Sequence, residues 1–154
     1  MAQFDTSRAL DSTAIVYRLA YSDAQVPHPY AGARWSMPPA QLLHQRVRSV
    51  LAQTHPVVFV GEGHARIELR VELDEFSHVF DSPSQSHGLV RVHVTALAPN
   101  NRGDRLLGQR SFAVTAPAPT PDAPGGVKAL TQASAQVAQD MANWVNALPQ
   151  PASR

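Results

Sequence analysis

The stretch from Arg66 to Asp74 constrains the fold more than any other. Ile67, Leu69, Val71 and Leu73 alternate there with Arg66, Glu68, Arg70, Glu72 and Asp74. A period of two puts apolar side chains on one side of an extended chain and charges on the other. The segment therefore predicts a strand with one face on a core and one in water, as an antiparallel sheet allows. The phase then slips, because Phe76, His78 and Phe80 continue on even positions. A β-bulge near Asp74 and Glu75 absorbs such a slip.

Other segments follow the same period. Ile15, Tyr17, Leu19 and Tyr21 predict a first strand, and Val90, Val92 and Val94 a later one. Ser82 to Gly88 reads as a hairpin loop before that later strand. Asn100, Asn101 and Gly103 form a turn after it, and Leu106 to Val114 form the last strand. Pro27, Pro29 and Gly32 mark a loop, with a short strand over Ala33 to Met37. Val57 to Val60 is a short apolar run, closed by a turn at Gly61-Glu62-Gly63.

Two segments change to the helical period. Pro38-Pro39 opens a helix expected to reach Thr54, with Leu43, Val47, Val50 and Leu51 on one stripe. Pro117, Pro119, Pro121, Pro124, Gly125 and Gly126 read as a surface linker. The longest helix follows, with Val127, Leu130, Ser134, Val137, Met141, Trp144 and Leu148 along its apolar face. The resulting fold class is α+β: an antiparallel β-sheet of about five to six strands covered on one face by two helices, an α/β sandwich. The chain of 154 residues suits one domain, placed at 13–148 between a flexible lead-in at 1–12 and a flexible tail at 149–154.

The chemistry that composition allows is narrow. Without cysteine there are no disulfides, thiolate metal sites or thiol nucleophiles. A net charge of +1 gives no global field to draw nucleic acid, and no nucleic-acid partner is expected. No apolar run approaches the roughly 20 residues of a membrane-spanning helix. Asp5, Arg8 and Asp11 interrupt the start, so no signal-peptide core is visible, which leaves a cytosolic protein or one whose export segment is removed upstream.

Gly61-Glu62-Gly63-His64-Ala65-Arg66 begins like a dinucleotide loop, but it is followed by a strand and so offers no helix N-terminus to a pyrophosphate. Glu75 and His78 have metal-helix spacing but sit in a strand pattern, where residues three apart face opposite ways. They are expected as a solvated carboxylate and a half-exposed imidazole. Seven histidines, at positions 28, 44, 55, 64, 78, 87 and 93, include no local metal clip. No Gly-x-Ser-x-Gly elbow marks a nucleophile. The expectation is no catalytic residue, no metal and no cofactor. Tyr30-Ala31-Gly32-Ala33-Arg34-Trp35 is the segment suited to a partner surface, because aromatic and arginine side chains anchor interfaces. Tyr30, Arg34 and Trp35 are the expected contacts, with the second reading that Trp35 closes the edge of the core.

An ordered set of residues carries a family resemblance. Ile15-Val16-Tyr17-Arg18-Leu19 comes first, then Tyr30 with Arg34-Trp35-Ser36-Met37-Pro38-Pro39, and Leu42-Leu43. Leu69-Arg70-Val71-Glu72-Leu73-Asp74-Glu75-Phe76, Val79-Phe80, Phe112 and Ala133 with Trp144-Val145 complete it. Together they resemble the ABC-type transport auxiliary lipoproteins, the group similar to paraquat-inducible protein C. The resemblance implies a lipoprotein of the Gram-negative periplasm, anchored by an N-terminal lipidated cysteine, with the outer membrane the expected site. No such cysteine lies in this sequence, and the anchor is expected upstream of Met1. The implied role is a non-enzymatic auxiliary component of an MCE-type (mammalian cell entry) ABC system that moves phospholipids or other hydrophobic molecules. The implied partner is the MCE-type substrate-binding protein, and self-association stays open. Two other classes remain as alternatives: a hydrolase or metal-dependent enzyme with a dispersed histidine site, and a cytosolic protein–protein adaptor.

Overall fold

A computed structural model of the chain describes the backbone of residues 2–6 and residues 13–22, 27–53, 67–98 and 105–148 in full. Strands β1 (Ala2–Thr6), β2 (Ala14–Leu19) and β3 (His28–Arg34) precede helix α1 (Pro39–Leu51). Strands β4 (Glu68–Ser82), β5 (Gln85–Ala98) and β6 (Arg105–Pro117) then form an antiparallel meander, and helix α2 (Ala123–Ala147) closes the chain. The sheet runs β3-β2-β4-β5-β6, with β1 also paired to β4.

The long strand β4 organises the sheet. Its alternation buries Leu69, Val71 and Leu73, then Phe76, His78 and Phe80 after the slip. Pairing with β5 shifts register between Leu73 and Glu75, which is the bulge that the sequence predicts. The opposite edge of β4 is shared by two parallel partners. β1 takes Leu69 to Leu73, and β2 takes His78 to Phe80. The bulge lies between them. The sheet is thus α+β as expected and mostly antiparallel, with these two parallel pairings added.

The helices lie against the apolar face. α2 packs on β5, β6 and β4, and α1 packs on α2 and β1. Leu43, Val47 and Leu51 of α1 meet Leu130, Val137, Met141 and Val145 of α2 and Val90, Val92 and Val94 of β5 in one core. The other face is polar: His93 Nδ1 lies 2.9 Å from Ser111 Oγ, and Gln109 donates to Thr95 Oγ1 at 3.2 Å. Such a one-sided core is what period-two strands and amphipathic helices produce together.

Several boundaries differ from the sequence reading. The lead-in contributes strand β1, whose five residues are too few to display a period and whose partner lies more than 60 residues away. The second strand is His28–Arg34 rather than 33–37. Proline at 29 suggests a loop, but a terminal strand tolerates it because one edge carries no ladder to interrupt. The hairpin turn is confined to Pro83 and Ser84. α1 ends at Leu51, and α2 starts at Ala123 instead of Val127. The runs Val57–Val60, Gly61–Arg66 and Asn100–Gly103 lie outside the described residues, as do His55 and His64.

Candidate functional site

The concentration of polar and aromatic side chains lies where β2, β3, β4 and β5 meet the start of α2. Parallel pairing sets Tyr17 beside His78, and antiparallel pairing sets Tyr17 beside His28. Because these strands share a face, their rings stack. Tyr17 lies 4.7 Å from Tyr30 and 5.2 Å from His28, and it meets Phe80 edge-on at 6.0 Å. Phe80 in turn lies 4.4 Å from His78.

His78 is the centre of this cluster and is 0% exposed. Its Nδ1 is 2.7 Å from the Tyr30 hydroxyl and its Nε2 is 2.7 Å from Ser86 Oγ. A neutral imidazole offers one donor and one acceptor, so the two hydroxyls satisfy it completely. The ring thereby ties β3 to the β4–β5 hairpin. Serine at hydrogen-bond distance from histidine has the reach of a nucleophile and its base. Here the base is shut away from solvent, and a phenol faces its second nitrogen where a carboxylate orients catalytic imidazoles. The arrangement acts as a cross-tie.

The first turn of α2 rests on the same ring. Asp122 caps the helix by accepting from the Gly125 amide at 2.9 Å and from the Thr120 hydroxyl at 2.5 Å. Those bonds hold its carboxyl below the usual carboxylate range, the Thr120 bond being the larger cause. A Cβ added at Gly126 would lie 2.5 Å from His78 Nδ1, so only glycine lets the helix approach this closely. Burial pushes the His78 pKa down. The Asp122 charge opposes that shift and His87 adds to it. Burial, followed by the neighbouring Tyr17 and Asp122, pushes the Tyr30 hydroxyl up to about 12.

Outside the cross-tie the same rings open onto solvent. A groove of about 380 Å³ is lined by Tyr17, Leu19, Tyr21, Tyr30, Phe80 and Pro83, among others. Tyr21 stands at its rim, 51% exposed.

The three residues expected at a partner surface are not equivalent. Arg34 is exposed at the end of β3, opposite Ala14. Tyr30 is half-buried, with its hydroxyl engaged by His78. Trp35 packs against the core and meets Phe76 edge-on at 5.5 Å, its indole N–H buried without a partner among the described residues.

Glu75 and His78 do face opposite sides, but neither is solvated as expected. Glu75 is 5% exposed on the polar face, held by Arg18 at 3.1 Å, by Arg91 at 3.9 Å and by the Ser77 hydroxyl. Among the described residues no three His, Asp or Glu side chains gather as metal ligands would. Sequence reasoning missed the site because its members are far apart: Tyr30 and His78 are 48 residues from each other. One local signal was available. Asp122-Ala123-Pro124 is a helix start, with a capping residue followed by proline in the first turn, and it places the helix end against the sheet.

Comparison with known proteins agrees with this architecture. No curated protein matches the chain. A Xanthomonas campestris crystal structure of the DUF330 family superposes with a TM-score of 0.83 at 20% identity, covering 94% of this chain and 80% of that one. The crystal structure of an uncharacterised protein gives a TM-score of 0.73 at 16% identity, covering 94% and 88%. Both share the fold. The family model for the ABC-type transport auxiliary lipoprotein component matches residues 2–142, nearly the whole chain. The chain belongs to the ABC-type transport auxiliary lipoprotein component family.

Proposed function

We propose that this chain is a non-catalytic accessory subunit of an MCE-type ABC system that carries phospholipids or other hydrophobic molecules across the envelope. It works from the periplasm, held to the outer membrane by a lipid anchor, and contacts the MCE-type subunit around the end of β3. One observation favours that surface: β3 is a terminal strand of the sheet, and its last residue, Arg34, is exposed and precedes the half-buried Trp35. An exposed arginine near aromatic side chains has the composition of an interface anchor. With a net charge of +1, affinity comes from such anchors rather than from long-range steering.

Site-specific photocrosslinking in cells tests this reading. A photoreactive residue at position 34 should trap the MCE-type subunit, and the same group at position 93 on the polar face should not. Equal crosslinking from both positions, or none from position 34, contradicts the proposed surface.

A further inference from the structure

Tyr30, His78 and Ser86 join three separate parts of the chain through one buried ring. Four strands and a helix close around that ring. β2 supplies Tyr17, β3 supplies Tyr30, β4 supplies Phe80 next to His78 itself, β5 supplies Ser86, and α2 supplies Gly126. Three of these neighbours, Tyr17, Tyr30 and Phe80, also line the open groove. A change at the ring is therefore a change in the groove wall.

The neutral ring fits this place and the protonated ring does not. In the neutral form one nitrogen donates and the other accepts, so one of the two hydroxyls must give its proton to the imidazole. Protonation turns both nitrogens into donors, and that hydroxyl must turn its proton elsewhere. The first turn of α2, in contact with Nδ1, presents the positive end of a 25-residue helix to the ring. Among the described residues the charged groups around it are few. Asp122 at the helix cap favours the cation, and His87, paired with Asp81 at 2.9 Å on the hairpin, opposes it. Lys128, further into α2, acts on Asp122. Tyr30, its hydroxyl pushed up to about 12 chiefly by burial, remains a neutral phenol at the pH values concerned.

We propose that the Tyr30–His78–Ser86 junction is a proton-operated latch: when His78 takes up a proton, β3 and the β4–β5 hairpin come free of the first turn of α2, and the aromatic groove is remodelled. At neutral pH the latch is closed and the groove has the shape described. In acid the open form is favoured, since its imidazole is solvated and binds a proton at the ordinary histidine value of about 6.5. The burial that depresses the closed-state value supplies the coupling between proton and conformation. This device does not depend on the transport reading.

Hydrogen exchange at pH 7.5 and pH 5, corrected for intrinsic rates, tests it. In the wild-type protein, amide protection in β3, the hairpin and residues 123–130 should fall by up to about 30-fold at pH 5, the ceiling set by an open-state pKa near 6.5. Amides in the middle of β5 and β6 should not follow. His78→Gln keeps one donor and one acceptor without titrating, and it should abolish the pH dependence. Unchanged wild-type protection, an equal fall in His78→Gln, or a fall spread evenly over the sheet overturns the proposal. If His78→Gln does not fold, the wild-type His78 ring protons decide by NMR. The latch requires a ring midpoint below that of free histidine, with protection falling as the pH drops below about 6.5. A midpoint near 6.5 with protection intact overturns it.

Discussion

Gly126 of α2 and His78 of β4 touch so closely that a single added methyl group would collide: its carbon would sit 2.5 Å from Nδ1 and 2.8 Å from Cγ of the ring. In an ordinary helix glycine costs roughly 1 kcal/mol relative to alanine, so replacing it should stabilise. Here the ring cannot yield, because both nitrogens are tied and the residue is 0% exposed. Gly126→Ala should therefore destabilise, by about 1–3 kcal/mol, as overpacked cores do. A urea midpoint that is unchanged or raised would show that the helix does not bear on the ring.

Glu75 gives a second prediction. Its carboxylate is buried on the polar face between Arg18 and Arg91. Glu75→Gln retains the shape but removes the carboxylate charge that faces Arg18 and Arg91, at a cost of about 1–3 kcal/mol. Glu72 is exposed on the same strand, and Glu72→Gln should stay within about 0.5 kcal/mol. Equal denaturant midpoints for the two variants would remove Glu75 from the framework.

Stability should fall towards both ends of the pH scale. His78 and His44 are held below the ordinary histidine value, chiefly by burial. Between that value and their folded values the unfolded chain binds more protons, so stability declines as pH drops below about 6.5. Tyr30 is displaced the other way, to about 12 from 10.0, so its contribution is present below pH 10 and lost as pH rises towards 12. Urea midpoints across pH 5 to 8 should show the acid limb, and His78→Gln should flatten it. A flat wild-type profile would contradict the assignment of His78 as a buried neutral ring.

Trp144 anchors the far end of α2. Its ring meets Phe112 edge-on at 6.0 Å and covers the space over Gly108. It is partly exposed, so Trp144→Ala should cost roughly 2–4 kcal/mol, the lower part of the range for large aromatic deletions. Thermal melting checks it, and an unchanged midpoint would mean that this end of the helix is not packed.

The features legible in the sequence are those that local period determines. The alternation of β4, its slip at Asp74 and Glu75, the apolar stripes of both helices and the one-sided sheet all follow from spacing along the chain. The parallel edge pairings of β1 and β2 with β4 do not, since they depend on which distant strands find room beside the bulge. β3 was obscured by Pro29 and Gly32, which are turn residues in most contexts but acceptable at a sheet edge. His78 looked half-exposed because alternation fixes the face a side chain occupies, not what covers it. The cover comes from Tyr30, Ser86 and a glycine of α2. Arg34 is exposed at the end of β3.

The most direct test of the transport account is the affinity of the purified protein for the MCE-type subunit of its own system, measured by biolayer interferometry beside the melting temperature of each variant. The wild-type chain should bind. Arg34→Ala should weaken binding by tenfold or more, about 1.4 kcal/mol, with melting unchanged, since the loss of an exposed side chain that anchors a partner costs the fold little. If the wild-type chain shows no affinity for that subunit, the account is wrong about what this protein does.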